Sequence, residues 1–227
     1  MKRAVCVGIG IIAALAAVGA PVAAPAEAPS NASMARVSAP WKIAGVGLGM
    51  TPPEVAAALK EDGFELSDRH SGRSWQGEVA NMVSNLRSLR VPEGVKVTTR
   101  EDYRAGQEQI RVTYTPGRAG PYVSRVDYAI DFEAIEPDRF TSAVLEKYGK
   151  PSLRWNFEML YCVKEESQCS RTGGLVTNQL PNLTVYVASV MKRVLVLQQG
   201  ERADKAYRAA VRVEAERLYP KKDWPSF

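Results

Sequence analysis

Acid–base and nucleophilic chemistry starts from a histidine, a thiol or two convergent carboxylates, and this chain is sparing with the first two. Its one histidine, His70, lies in Ser67-Asp68-Arg69-His70-Ser71-Gly72-Arg73-Ser74, a polar, glycine-containing string that reads as a loop. A serine nucleophile would need that histidine as its base and a Gly-x-Ser-x-Gly elbow to present it, and the elbow does not occur. The thiols are Cys6, Cys162 and Cys169. Six residues, Val163 to Gln168, form a largely polar segment between the last two, which suits a disulfide across a hairpin end and leaves no thiolate. A zinc site would want four ligands, and His70 is nearly a hundred residues away. Gly45-Val46-Gly47-Leu48-Gly49 lacks the Gly-Lys-Ser/Thr ending of a phosphate loop. Carboxylates are harder to set aside, because a glycosidase needs only two acids about 5 to 9.5 Å apart. Asp127 and Asp131 share one strand face, but it is the face assigned to solvent, opposite Arg111. The expectation is no catalytic residue, no metal and no cofactor.

The elements that would position any site follow from periodicity. Thr51-Pro52-Pro53-Glu54 has the form of a capping box with proline in the first turn, and the helix should run to Asp62 and stop at Gly63. A second helix is predicted between Ser74 and Arg90, where Trp75, Val79, Met82, Leu86 and Leu89 make one stripe. Ile110, Val112 and Tyr114 then alternate with polar residues, as do Val126, Tyr128, Ile130 and Phe132 after the turn at Pro116 to Gly120. That is an antiparallel hairpin with one buried face. Val95 to Thr98 adds a neighbouring strand, and Arg100-Glu101-Asp102 reads as solvated surface.

A third helix starts near Pro137 and ends at Gly149. Trp155, Phe157, Met159 and Tyr161 read as one alternating strand leading to Cys162, followed by strands at Leu183 to Val187 and Val194 to Leu197, the latter central, and a last helix from Arg202 to Tyr219. The fold class is α+β, an antiparallel sheet with helices on one face. Leu59 to Gly63 and Leu145 to Gly149 end their helices alike at a period of 86 residues, which fits two helix-plus-sheet repeats or merely a common helix ending.

Three segments follow: residues 1–26, 27–40 and 41–227. Lys2 and Arg3, the apolar run Ala4 to Ala20 and the frame Ala24-Pro25-Ala26 have the pattern of a signal peptide cleaved after Ala26. Cys6 has no apolar segment ahead of it and is no lipoprotein cysteine. Glu27 to Pro40 is small, proline-punctuated and aperiodic, a linker that cannot bury enough to order itself. The rest is a single domain. Cleavage lowers the formal charge from +5 to +3, with cations dispersed among acids, so nucleic acid is not an expected partner and no stable membrane span remains. A periplasmic or secreted location is expected.

Gly45 to Val55 resembles the opening of small periplasmic modules built as helix, helix and antiparallel sheet. It is similar to the outer-membrane-assembly small lipoproteins and to the two-repeat β-lactamase-inhibitor-protein fold, whose helix ending Tyr148-Gly149-Lys150-Pro151 also resembles. The resemblance implies a non-catalytic binding or assembly role toward another envelope protein. The chain departs from the lipoproteins in lacking a lipid-bearing cysteine and from the inhibitors in showing no clear second helix in its second half. A carboxylate-based hydrolase acting on envelope material and a carrier of a small apolar ligand between helix and sheet are the alternatives. The candidate binding loop runs from Cys162 to Pro181 and includes Lys164, Glu165, Arg171, Gly173 and Gly174, because a long ordered loop is often functional. Trp224 and Phe227 either dock a partner or, the preferred reading, pin the tail to the domain. On this reading the mature chain begins at Glu27, and intact-mass measurement on protein from its native host should find that start rather than Met1 or a lipid.

Overall fold

The structure is a computed structural model that describes residues 39–88, 92, 94–155, 157–163, 169–172, 175–187 and 192–220, with the backbone alone at 87, 132, 169–172 and 175–178. Residues 1–33, with the expected signal peptide, lie outside the described residues, which all fall in the unit Met34–Phe227.

In this unit, helix α1 (Pro52–Glu61) starts where the capping box predicts: the carboxylate of Glu54 accepts the Thr51 backbone N–H at 2.6 Å. Its Val55 and Leu59 are buried. Strand β1 (Glu65–Arg73) follows, then α2 (Trp75–Arg87), capped by Ser74, whose hydroxyl accepts the Gly77 N–H at 3.2 Å. Strands β2 (Lys96–Ala105), β3 (Glu108–Gly117) and β4 (Gly120–Asp131) form a meander, and α3 (Pro137–Tyr148) opens the second half. The second half holds β5 (Leu153–Trp155), β6 (Glu158–Cys162), β7 (Cys169–Thr172), β8 (Leu175–Asn178), β9 (Asn182–Tyr186), β10 (Lys192–Gln198) and α4 (Glu201–Leu218).

Eight strands make one antiparallel sheet in the order β1-β2-β3-β4-β10-β9-β6-β5, while β7 and β8 pair only with each other. The order is symmetric about its middle, since β4 and β10, the last strand of each half, pair there. Helices α1 and α3 stand at equivalent places and end at Gly63 and Gly149, with φ of 79° and 76°. This is the arrangement a duplicated unit produces. The first half places α2 between β1 and β2, whereas only residues 156–157 separate β5 from β6.

The larger core lies between one face of the sheet and helices α1 and α3, which contribute Val55, Leu59, Phe140 and Val144. In the hairpin Ile110 faces Tyr128 and Val112 faces Val126, the register the alternation predicts. A smaller core joins α2 to α4 through Trp75, Val79, Val83, Val211 and Ala215. There Trp75 meets Tyr207 edge-on, with ring centroids 5.7 Å apart. Arg118, in the β3–β4 turn, ties this pair to the sheet by stacking 5.2 Å from the Trp75 ring centroid and pairing with Glu214 at 3.0 Å.

Three expectations need correction. Residues 67–74 are not a loop: all but Ser74 belong to β1, an edge strand wet on both faces and bulged twice against β2, and therefore without the alternation that marks a half-buried strand. The run 154–161 is not one strand but a tight hairpin in which Trp155 faces Glu158, so Phe157 is a turn residue, 62% exposed. Arg100-Glu101-Asp102 is not uniformly solvated, because Glu101 is fully buried.

Gly200 precedes α4 with φ of 78°, and a Cβ there would be driven into the backbone carbonyl of Leu180. Gly63 has a similar φ, but open space around it. Gly200→Ala should therefore cost about 2–4 kcal/mol and Gly63→Ala only about 1 kcal/mol, a difference that urea denaturation of the two variants would show.

Candidate functional site

The cysteine reading must be corrected. Cys162 ends β6, which pairs with β5 and β9, whereas Cys169 begins β7, which pairs with β8. β6 and β7 do not pair with each other, so the hairpin expected between the two cysteines is absent among the described residues. Cys162 itself is in the disulfide form, but the side chain of Cys169 lies outside the described residues, and no pair of cysteine sulfurs at bonding distance stands among them. Of the candidate loop, Lys164, Glu165, Gly173 and Gly174 lie outside the described residues, and Arg171 is described only as backbone in β7. The expected loop thus supplies no described side-chain geometry beyond its two ends, and the features that could do chemistry lie elsewhere.

The face of the sheet turned away from α1 and α3 carries a charge lattice. Strand alternation puts Asp68 and His70 of β1 beside Arg100 and Asp102 of β2, with Asp68 directly opposite Asp102. The Nε2 of His70 is 2.7 Å from Asp68 and 4.0 Å from Asp102, and the three ligand atoms lie within 4.8 Å of one another, a spacing a divalent ion could bridge. The cations around them argue otherwise. Arg111 Nε donates to Oδ1 of Asp102 at 2.7 Å, Arg100 Nε stands 3.2 Å from Oδ2, and the Arg100 guanidinium also touches His70 Nε2. Both oxygens of Asp102 are committed to arginines, and a metal would meet two positive charges already in place. The donors fit an ion-pair network better than a metal. Farther along this face, Asp127 pairs with Arg125 at 2.6 Å rather than with the opposite Arg111, and Asp131 reaches Lys192 at 3.7 Å. The cleft formed here, of about 530 Å³, is polar and its acids are matched by arginines.

On the core face of the same strands lies Glu101, whose carboxylate is fully buried yet well supplied with donors. Oε2 accepts the hydroxyls of Tyr103 at 2.9 Å and Tyr114 at 2.5 Å, and Oε1 accepts Nε of the half-exposed Arg69 at 2.8 Å. Three donors make a buried carboxylate tolerable. Burial, and after it the hydrogen bond to Glu101, holds both tyrosines above their ordinary value. With all its neighbours satisfied, this is a structural knot within the core rather than an open site.

Between α3 and the sheet runs a groove of about 390 Å³. Phe140, Ala143 and Val144 of α3 form one wall, Tyr128, Ile130 and Leu195 the other, and Phe64, just after α1, closes one side. The groove follows from the alternation of β4 and the three- and four-residue spacing of α3, which turn these apolar residues toward each other. Its polar groups are Asp62, Glu108, Lys147 and the hydroxyls of Tyr128 and Tyr148. Tyr148 donates to the Lys42 carbonyl at 2.9 Å, and burial, with Tyr161 next, pushes its pKa up to about 12. Tyr128 is raised further, by burial first and then by the charge and hydrogen bond of Glu108. Lys147 holds its ammonium 5.6 Å from the Tyr148 ring centroid. A volume within the range of small-ligand pockets, apolar walls and a few convergent polar groups are what ligand sites require. The spacing of Phe140, Ala143, Val144 and Tyr148 puts them on one side of α3, but nothing local in the sequence joins them to Asp62 and Glu108.

No family model, no curated protein and no solved structure matches this chain.

The Glu101 knot makes a prediction of its own. Tyr114→Phe removes one donor from a buried carboxylate and should cost about 1.5–3 kcal/mol at neutral pH. Above the ordinary tyrosine value of 10.0 the unfolded chain loses this proton while the folded one keeps it, so stability falls as the pH rises. Tyr114→Phe should make that alkaline decline shallower, as read from urea midpoints measured from neutral pH upward.

Proposed function

We propose that this chain is an exported, periplasmic or secreted, carrier of a small apolar molecule, which it holds between α3 and the sheet. The observation that carries the reading is the groove of about 390 Å³, apolar on its helix and sheet walls alike and polar at a few points only. Export is supported by the signal-like pattern of residues 1–26. Among the described residues no helix is long and apolar enough to cross a membrane. Binding of another envelope protein, implied by the resemblance of Gly45 to Val55, stays a separate reading that rests on the sequence alone.

Rigid walls favour this role. Val144 and Phe140 are buried in the main core on their far sides, and Leu195 belongs to a central strand, so a ligand entering the groove meets side chains already held in place. Preorganisation of this kind lowers the ordering cost of binding. Ala143 is exposed at the groove and small enough to leave its mouth open.

A second reading, a carboxylate-based hydrolase acting on envelope material, has one observation in its favour: Asp68 and Asp102 converge on His70 in the polar cleft. The commitment of Asp102 to two arginines places it second. Hydrolysis of envelope glycans that disappears in Asp68→Asn and Asp102→Asn would reverse this ranking.

The carrier reading is tested with an environment-sensitive naphthylamine dye. The dye should bind saturably at one site per chain, and Ala143→Trp, which plugs the groove, should weaken it by about tenfold or more without lowering the melting temperature. A dye bound equally well by the plugged variant, or not bound saturably at all, would count against the groove as the site.

A further inference from the structure

Taking the groove as the ligand site, we infer that it selects amphiphiles with a cationic head, an alkylammonium group on an apolar tail, over those with a carboxylate head. The inference rests on the carrier reading and adds the chemistry of the head group to it.

The charge of the groove comes from two sources. Asp62 and Glu108 are carboxylates, and among the described lining residues Lys147 is the single cation. The second source is the backbone. Asp62 is the C-cap of α1, and Lys147 and Tyr148 are in the last turn of α3, so both helices bring their C-terminal ends to the groove. A helix C-terminus carries the equivalent of about half a negative charge on its outward-pointing carbonyls. The Asp62 N–H donates to the Ala58 carbonyl at 3.4 Å, the Gly63 N–H to that of Lys60 at 3.2 Å, and the Gly149 N–H to that of Leu145 at 2.8 Å. Two carboxylates and two negative helix ends thus outweigh one ammonium.

The aromatic lining points the same way. A cation gains from the face of a tyrosine ring within about 6 Å of its centroid, and a carboxylate does not. Lys147 already shows this contact, with Nζ 5.6 Å from the Tyr148 centroid. A ligand ammonium could take this place once Lys147, an exposed and flexible side chain, swings outward. The tail would lie against Phe64, Ile130, Phe140 and Val144, which offer no polar group to an anion.

The test measures binding of decyltrimethylammonium, decanoate and decanol to the purified full chain by calorimetry, each below its micelle concentration. Decyltrimethylammonium should bind about tenfold tighter than decanoate, and added salt should narrow the gap, because the preference is electrostatic. Lys147→Gln should widen the ratio and Asp62→Asn and Glu108→Gln should narrow it, each by about threefold. Should Glu108→Gln disturb the fold through Tyr128, the two exposed positions, Asp62 and Lys147, still decide the sign. Decanol reports on the groove itself: its binding should be unaffected by these charge changes and lost in Ala143→Trp. If decanol binds and is lost in that variant, but decanoate binds as well as the ammonium, the head-group inference is overturned and the carrier reading stands. If none of the three binds, both fall.

Discussion

The antiparallel pairing of β4 with β10 is the contact on which the rest of the domain depends. It is the only place where the two halves of the eight-stranded sheet meet, from Lys192 opposite Asp131 to Gln198 opposite Arg125. Its register fixes which side chains point inward. Leu195 lies opposite Tyr128 and Leu197 opposite Val126, and all four turn toward α1 and α3. A slip of β10 by one residue would turn Val196 and Gln198 into that core and put Leu195 and Leu197 on the far face. The same pairing builds the groove, since its sheet wall takes Tyr128 and Ile130 from β4 and Leu195 from β10.

The two faces of the sheet deal with charge differently. On the outer face acids and arginines are spread through a lattice of pairs that water still reaches, and each pair there adds little stability. On the core face charge is rare. Glu101 takes three hydrogen bonds, and Arg193, fully buried on β10, donates to the Val187 carbonyl. A charge so placed must be satisfied, because an unpaired one in the interior would cost several kcal/mol. Glu101 therefore links β1 through Arg69, β2 through Tyr103 and β3 through Tyr114, and holds the outer three strands in one register.

The groove differs from both. Its carboxylates and its lysine sit at the border between apolar wall and solvent, contributed by the end of α1, the start of β3 and the end of α3. None of these three segments neighbours another in sequence, and each is an ordinary element end by its own composition. Their convergence is a product of the sheet, which carries the start of β3 next to the end of β4 and thus beneath α3.

What could be read without coordinates was local and periodic. The capping box at Thr51 and Glu54, the start of α2 with Trp75 and Val79 inward, and the hairpin at 110–130 are each specified by spacing along a single stretch, whereas Leu86, expected in the α2 stripe, is exposed and Val83 is buried instead. Where the local signal failed, two environments were averaged: β1 has water on both faces and so no alternation, and Glu101 sits in a charged triplet yet alternates in phase with Tyr103. That phase was a legible hint of its burial. The groove had no such hint. Asp62, Glu108 and Lys147 are tens of residues apart, and their meeting depends on strand order and on the β4–β10 register, which are set by the packing of the whole domain. Sequence alone determined the class of fold and most of its pieces, because those follow from neighbours in the chain. The tertiary structure alone decided where an apolar wall would meet a negative rim, because that depends on neighbours in space.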